Sequence, residues 1–287
     1  MSCGCGSRCG DTRKADRVAL ELSFGCAVQE KAGISLLQWA AWLREGVPHG
    51  VTTRDGGVSR APYASLNLGD NVGDAPGAVI ANRAKLGAAL GDMRRPRVFA
   101  RQVHGAGVFV VRDLPKPGDP PPEADALITN RADVFIAVTV ADCVPVLFLD
   151  PVHRVVGVAH GGWRGIEGGV LRNTVEAMRR EYGTQPAELQ AAIGPHIGVC
   201  CYEVGEDVAA RFPGIPRALR EDKDGRRYLN LARVARAELS AAGLNPEYVS
   251  ISAPCTSCFV DAYFSHRAEG VTGRFAAIVG LADRENE

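Results

Sequence analysis

The sequence predicts a mixed α/β (α+β) fold built as one domain, and three observations carry that prediction. Short apolar runs of strand length recur between residues 50 and 281. Segments with apolar residues at helical spacing fall between them, and several strands end on glycine-rich breaks. The 287 residues allow one large domain or two ordinary ones, and a hydrophobic content of 46% is enough to bury a sizeable core.

In chain order, residues 1–17 read as a tail, and 17–24 and 35–43 as edge strands or short helices. Residues 50–54 are strand-like and lead into DGGVSRAPYASLNLGDNVGD, whose Gly, Ser, Asn and Asp favour turns. Pro76 suits the first position of a helix, and 78–90 has helical spacing. Residues 97–103 and 107–111 read as strands flanking His104-Gly105, whereas 113–123 is too rich in proline for regular structure and predicts a surface loop. Residues 136–140 and 144–149 read as one buried strand with a polar interruption, and 154–159 follows an Asp150-Pro151 turn. After His160 a glycine-rich turn leads into a helix over 167–182. A strand over 189–193, a helix over 229–242 and strands over 248–252 and 275–281 complete the pattern. The proline-rich loop is not a domain boundary, because candidate site residues on both sides of it must meet. The expected division is an N-terminal Cys-containing tail and variable segment, 1–46, followed by the domain, 47–284.

Lys plus Arg (33) equals Asp plus Glu (33), so no basic excess points to nucleic acid or an anionic membrane. No run of 18 apolar residues predicts a membrane span, and MSCGCGSRCGDTRKADR lacks a signal-peptide core. The cytoplasm is therefore the expected location. Nine cysteines in such a chain read as thiols, ligands or nucleophiles rather than disulfides. Cys3, Cys5 and Cys9 lie on the tail, expected to be disordered. Cys255 and Cys258 have C-x-x-C spacing without a matching second pair, and read as structural.

Buried strands rarely carry an Asp-Cys pair or finish on His-Gly-Gly. His104 in RQVHGAG, Cys143 in VADCVP and His160 in VAHGGWRG each stand at a strand break. Two imidazoles and a thiolate suit zinc with the fourth tetrahedral position open, the pattern of a catalytic rather than a structural site. The competing reading of a lone cysteine in a strand is core packing.

The ordered motifs TTRDGGVSRAPYASLNLGDNVGD, RQVHG, ADALIT, VADCVPVLFLD, AHGGWRG, IGPHIGVCCYEVG and CTSC…YFSHRAEGVTGR closely resemble the laccase-domain (YfiH-like) family, also called multicopper polyphenol oxidases. The resemblance covers residues 49–281. It implies a single-domain sandwich of mixed sheet and helices, akin to toxin deamidases. It also implies a purine nucleoside phosphorylase acting on adenosine, inosine and S-methyl-5′-thioadenosine, with adenosine deaminase activity. Carried over residue by residue, the family's zinc ligands fall on His104, Cys143 and His160.

Other roles follow with alternatives. Asp142 either orients an imidazole, acts as general acid or base, or caps a strand end. Arg54 and Arg164 suit a phosphate, as does the helix N-terminus expected at the end of the turn HGGWRGIEGG, although either arginine can equally form a structural ion pair. Ser65 and Asn67 contact ribose or cap turns. His49, His153 and His266 read as solvated or structural. The expected partners are purine nucleosides and phosphate, with no nucleic acid or membrane, acting on a monomer. Copper fits the three donors less well than zinc. A multicopper centre needs clustered imidazoles, and six histidines without a His-x-His pair do not supply one. A copper-dependent phenol oxidase, a Cys143–His160 amidase editing peptidoglycan precursors, and a non-catalytic zinc module are the alternative functions.

Overall fold

The computed structural model describes residues 25–282, apart from 115, 117 and 253. Two six-stranded sheets form its body. The first has the order β1 (Cys26–Lys31), β2 (Ile34–Trp39), β3 (His49–Thr52), β15 (Phe275–Gly280), β7 (Phe135–Val140), β4 (Arg97–Phe99). The second has the order β14 (Val249–Ile251), β10 (Gln190–Ile193), β8 (Val144–Asp150), β9 (Val155–Gly161), β6 (Ala126–Thr129), β5 (Val108–Val110). Most pairings are antiparallel. β4–β7, β5–β6 and β10–β14 are parallel. A small antiparallel sheet joins β11 (Glu203–Val204), β13 (Arg227–Leu229) and β12 (Leu219–Glu221). The result is the mixed α/β sandwich expected from the sequence.

Side-chain alternation shows how the layers stack. In β8, Leu147 and Leu149 face Val138 and Val140 of β7 and Val279 of β15, forming the core between the sheets. Val144, Val146 and Phe148 point the other way, against Leu171, Val175 and Met178 of α4 (Val170–Tyr182) and Leu239 of α5 (Leu231–Ala241). The outer face of the first sheet, with Leu36, Ala137 and Ile278, is covered by Leu86 of α2 (Pro76–Ala89) and by Leu66 and Leu68 of the polar loop. Every residue of β8 and β9 is buried, which is why these strands read as continuous apolar runs. Burying each Leu or Val there contributes about 1.5–3 kcal/mol.

The structure corrects several expectations. Residues 136–149 are not one strand: β7 and β8 belong to different sheets, and Ala141-Asp142-Cys143 is the crossover between them. Asp142 sits there at φ 93°, a left-handed conformation that bends the chain sharply. Two apolar strands separated by three residues give no local sign of a change of sheet. The helix expected over 167–182 is α4, starting three residues later, and the glycine-rich turn before it holds a further short helix, α3 (Trp163–Glu167), set off by Gly168-Gly169 with Gly169 at φ 87°. The longer helix begins at Val170, directly after HGGWRGIEGG, where its N-terminus was expected.

Before residue 47, β1, β2 and α1 (Ala40–Arg44) extend the first sheet through β2–β3 pairing. Residues 17–24 and the cysteines at 3, 5 and 9 lie outside the described residues. No helix among the described residues is long and apolar enough to cross a membrane.

Candidate metal centre and cleft

Three breaks in the sandwich meet at one rim. His104 occupies the bend between β4 and β5 at φ 58°, Cys143 lies in the β7–β8 crossover, and His160 stands near the end of β9, opposite Pro145 of β8. One ligand atom from each of the three lies within 4.8 Å of the others. The two imidazoles meet edge to face with centroids 4.8 Å apart. Gly162 explains part of the glycine-rich motif. A Cβ there would come within 3.0 Å of His104 Cδ2 and 3.3 Å of Cys143 Sγ, so a side chain would press on the ligands themselves.

Asp125 organises the group. One carboxylate oxygen accepts from His160 Nδ1 at 2.8 Å and from the His104 backbone N–H at 3.0 Å. The other accepts from the N–H groups of Val103 (3.2 Å) and Gly105 (2.7 Å). The carboxylate thus fixes one imidazole and the turn bearing the other, and leaves His160 Nε2 directed at the site. Asp125 was not among the residues singled out from sequence. Its signal was an acidic residue opening the otherwise apolar strand ADALIT, which says nothing about the partner until the fold brings β6 beside β9.

Electrostatics favour a thiolate at Cys143. Burial pushes its thiol up, but the charge of His160 and hydrogen bonds from His104 and His160 outweigh that and bring it down to about 6. His160 responds in the opposite sense. Burial lowers it, and the Cys143 thiolate together with the Asp125 hydrogen bond raise it to about 9. Desolvation opposes the ionised form of Asp125 too, but the His160 contact and the backbone donors hold it below the usual carboxylate range. The donor set fits a divalent ion with mixed nitrogen and sulfur preference, held by two imidazoles and one thiolate.

The triad opens into a cleft of about 750 Å³ whose lining includes Gln102, Asp142, Trp163, Arg164, Tyr202, Arg267 and Arg274. Asp142 does not touch either imidazole. Its carboxylate accepts from Thr256 Oγ1 (2.6 Å), Ser265 Oγ (2.7 Å) and the Arg267 N–H (2.7 Å), tying the crossover to the C-terminal loops. Arg164 is exposed in the cleft with its guanidinium stacked on Trp163, 4.5 Å from the ring centroid.

Arg54 is not brought to the triad. Its guanidinium donates to Glu269 (2.9 Å), Val260 O and Ala64 O, and lies over Phe264. Ser65 and Asn67 stand outside the lining too. Ser65 Oγ donates to Arg54 O (2.9 Å), and Asn67 Oδ1 accepts from the N–H of Arg274 (2.8 Å), so Asn67 anchors the backbone of a cleft residue without reaching the cleft. His49 is a core residue, accepting from the Trp39 N–H at 2.8 Å, and burial lowers it to about 4. His153 pairs with Asp150, and His266 lines the cleft with its Nδ1 2.6 Å from Gly270 O.

Known proteins agree with this architecture. The chain is 44% identical over 245 residues to a purine nucleoside phosphorylase of Deinococcus radiodurans, covering 84% of this chain and 92% of the relative. It is 37% identical over 257 residues to the purine nucleoside phosphorylase YlmD of Geobacillus stearothermophilus, covering 83% and 94%. The crystal structure of YlmD from that organism superposes with a TM-score of 0.82 at 36% identity, over 89% of this chain and 99% of the other. Residues 48–282 match the family described as multi-copper polyphenol oxidoreductase laccase. With that match spanning more than half of the chain, this protein belongs to the multi-copper polyphenol oxidoreductase laccase family.

Proposed function

We propose that this protein is a metal-dependent purine nucleoside phosphorylase, using zinc held by His104, Cys143 and His160. The observation that carries the reading is a three-donor site facing a cleft of about 750 Å³ that also presents Arg164. The names of the relatives support the substrate class. A zinc ion bound there would supply a Lewis acid and an acidified water through its open position.

In phosphorolysis the bond between ribose C1′ and the purine nitrogen breaks, a phosphate oxygen bonds to C1′, and the purine leaves with a proton. Arg164, stacked on Trp163, offers a planar fork of donors for phosphate. Trp163 and Tyr202 line the cleft, each with an arginine over one face of its ring, and are the aromatic groups available to a purine. Asp142 holds the loop that carries Arg267, and acts by positioning. Adenosine, inosine and S-methyl-5′-thioadenosine are the proposed nucleosides. The same cleft suits adenosine deamination, in which water replaces the exocyclic amino group.

One observation favours a second reading. Cys143, His160 and Asp125 also form a thiolate–imidazolium–carboxylate series, as a cysteine hydrolase requires. His104, directed at the same sulfur, has no role in that chemistry and weighs for the metal. The six histidines, four of them bound to partners outside the triad, do not supply a multicopper centre.

The deciding experiment is product analysis with inosine, phosphate supplied or omitted. Phosphorolysis yields hypoxanthine and ribose 1-phosphate only with phosphate. Equal hypoxanthine release without phosphate, or full activity after metal stripping, would overturn the proposal, and the latter would promote the cysteine hydrolase.

A further inference from the structure

Among the described residues one other group of metal-ligating side chains stands together, away from the triad. Cys200 and Cys201 follow β10, and Cys255 and Cys258 follow β14. The four sulfurs lie within 4.8 Å of one another. Cys258 Sγ is 3.4 Å from Cys201 Sγ and 3.6 Å from Cys200 Sγ. We propose that these four cysteines hold a second zinc ion in a closed, structural site that clamps two loops of the cleft wall.

The geometry suits one central ion. Zinc–sulfur bonds of ~2.3 Å in a tetrahedron place the sulfurs about 3.8 Å apart, close to the separations observed. A disulfide would bring two sulfurs to ~2.05 Å. Four sulfurs this close leave no space for an iron–sulfur cluster, whose cysteine sulfurs surround several metal ions and bridging sulfides. The backbone supports the same reading. Gly198 N–H donates to Cys255 Sγ at 3.1 Å, a bond that stabilises negative charge on sulfur. A Cβ at Gly198 would lie 3.1 Å from Cys200 Sγ and 3.4 Å from Cys255 Sγ, so glycine lets the backbone close over the sulfurs.

Four protein thiolates leave no position for water or substrate, which separates this site from the three-ligand one. Its work is mechanical. The loop holding Cys200 and Cys201 also carries Ile197 and Tyr202, which line the cleft. The loop holding Cys255 and Cys258 carries Thr256, whose hydroxyl donates to Asp142 beside Cys143. The two loops already meet where the Thr256 N–H donates to His196 O at 3.0 Å. An ion between them makes that junction rigid and holds Tyr202 and Asp142 in place. The spacing hid this from the sequence, since the partner of the Cys255/Cys258 pair is an adjacent Cys-Cys dipeptide in another loop rather than a second C-x-x-C.

The test is metal analysis and zinc-edge X-ray absorption on the full-length protein, purified under reducing conditions from zinc-supplemented cells. The expected result is about two zinc ions per chain. In Cys143→Ala, which lacks the triad's sulfur, a zinc ion with four sulfur neighbours at ~2.3 Å should remain. Cys258→Ser should lose one zinc ion per chain, melt at lower temperature and keep the triad's ion. If Cys258→Ser does not fold, the unmodified protein and Cys143→Ala still decide. The absence from Cys143→Ala of a zinc ion with four sulfur neighbours, iron in place of the second zinc, or disulfides among these four cysteines by alkylation and mass spectrometry would overturn the proposal. None of those results would affect the three-ligand centre.

Discussion

His160 Nδ1 and Asp125 Oδ1 stand 2.8 Å apart, and the same carboxylate holds the backbone of the turn that presents His104. One buried acid therefore sets the ring orientation of one candidate ligand and the chain path of another. Asp125→Asn should weaken zinc affinity by about 10–100-fold in a chelator competition, because the amide is a poorer acceptor for the imidazole. It should also lower the melting temperature, since its NH₂ must face either the imidazole or backbone N–H groups. Unchanged affinity would show that His160 needs no orienting partner.

The thiol of Cys143 is lowered from 9.0 to about 6. Its thiolate is thus present above about pH 6 and lost as pH falls through that value. His160 is raised to about 9, so its imidazolium is present below that pH and lost above it. In metal-stripped protein the ion pair therefore operates between about pH 6 and pH 9. Iodoacetamide labelling of Cys143, followed by peptide mass spectrometry, should be half-maximal near pH 6 and be suppressed by added zinc. A half-maximum near 9 would contradict the pairing.

Arg164 and Arg54 should behave differently when truncated. Arg164 is exposed and lines the cleft, so Arg164→Ala should raise KM for phosphate about 10-fold or more with little change in melting temperature. Arg54 joins Glu269 to two loop carbonyls and Phe264, so Arg54→Ala should cost about 2 kcal/mol of stability. Steady-state kinetics with thermal unfolding separates the two. A phosphate-specific defect in Arg54→Ala at full stability would return that residue to the anion site.

Gly162→Ala places a methyl group 3.0 Å from His104 Cδ2 and 3.3 Å from Cys143 Sγ. The ligands must move to accommodate it, so metal content should fall well below that of the unmodified protein while the fold survives. Metal analysis with circular dichroism checks both halves of this expectation. Full occupancy would mean the ligand shell tolerates a shift of a few tenths of an ångström.

The periodicity of apolar residues was enough to mark a mixed α/β domain of strands and helices, because β8, β9 and α4 bury what their patterns mark as apolar; the sandwich came from the family resemblance. The motifs carrying His104, Cys143 and His160 were legible too, since polar residues at the ends of apolar strands contradict local burial. What those strands pair with was not legible. Whether 136–149 is one strand or two in different sheets depends on hydrogen bonds to residues far along the chain, and the three residues of the crossover do not encode them. Arg54 and Arg164 look alike in sequence, yet one faces Glu269 and the other the cleft. Asp125 and the four-cysteine group became visible only when loops distant in sequence met, because a hydrogen bond or a shared ion requires atoms within a few ångströms, and only tertiary packing sets that distance.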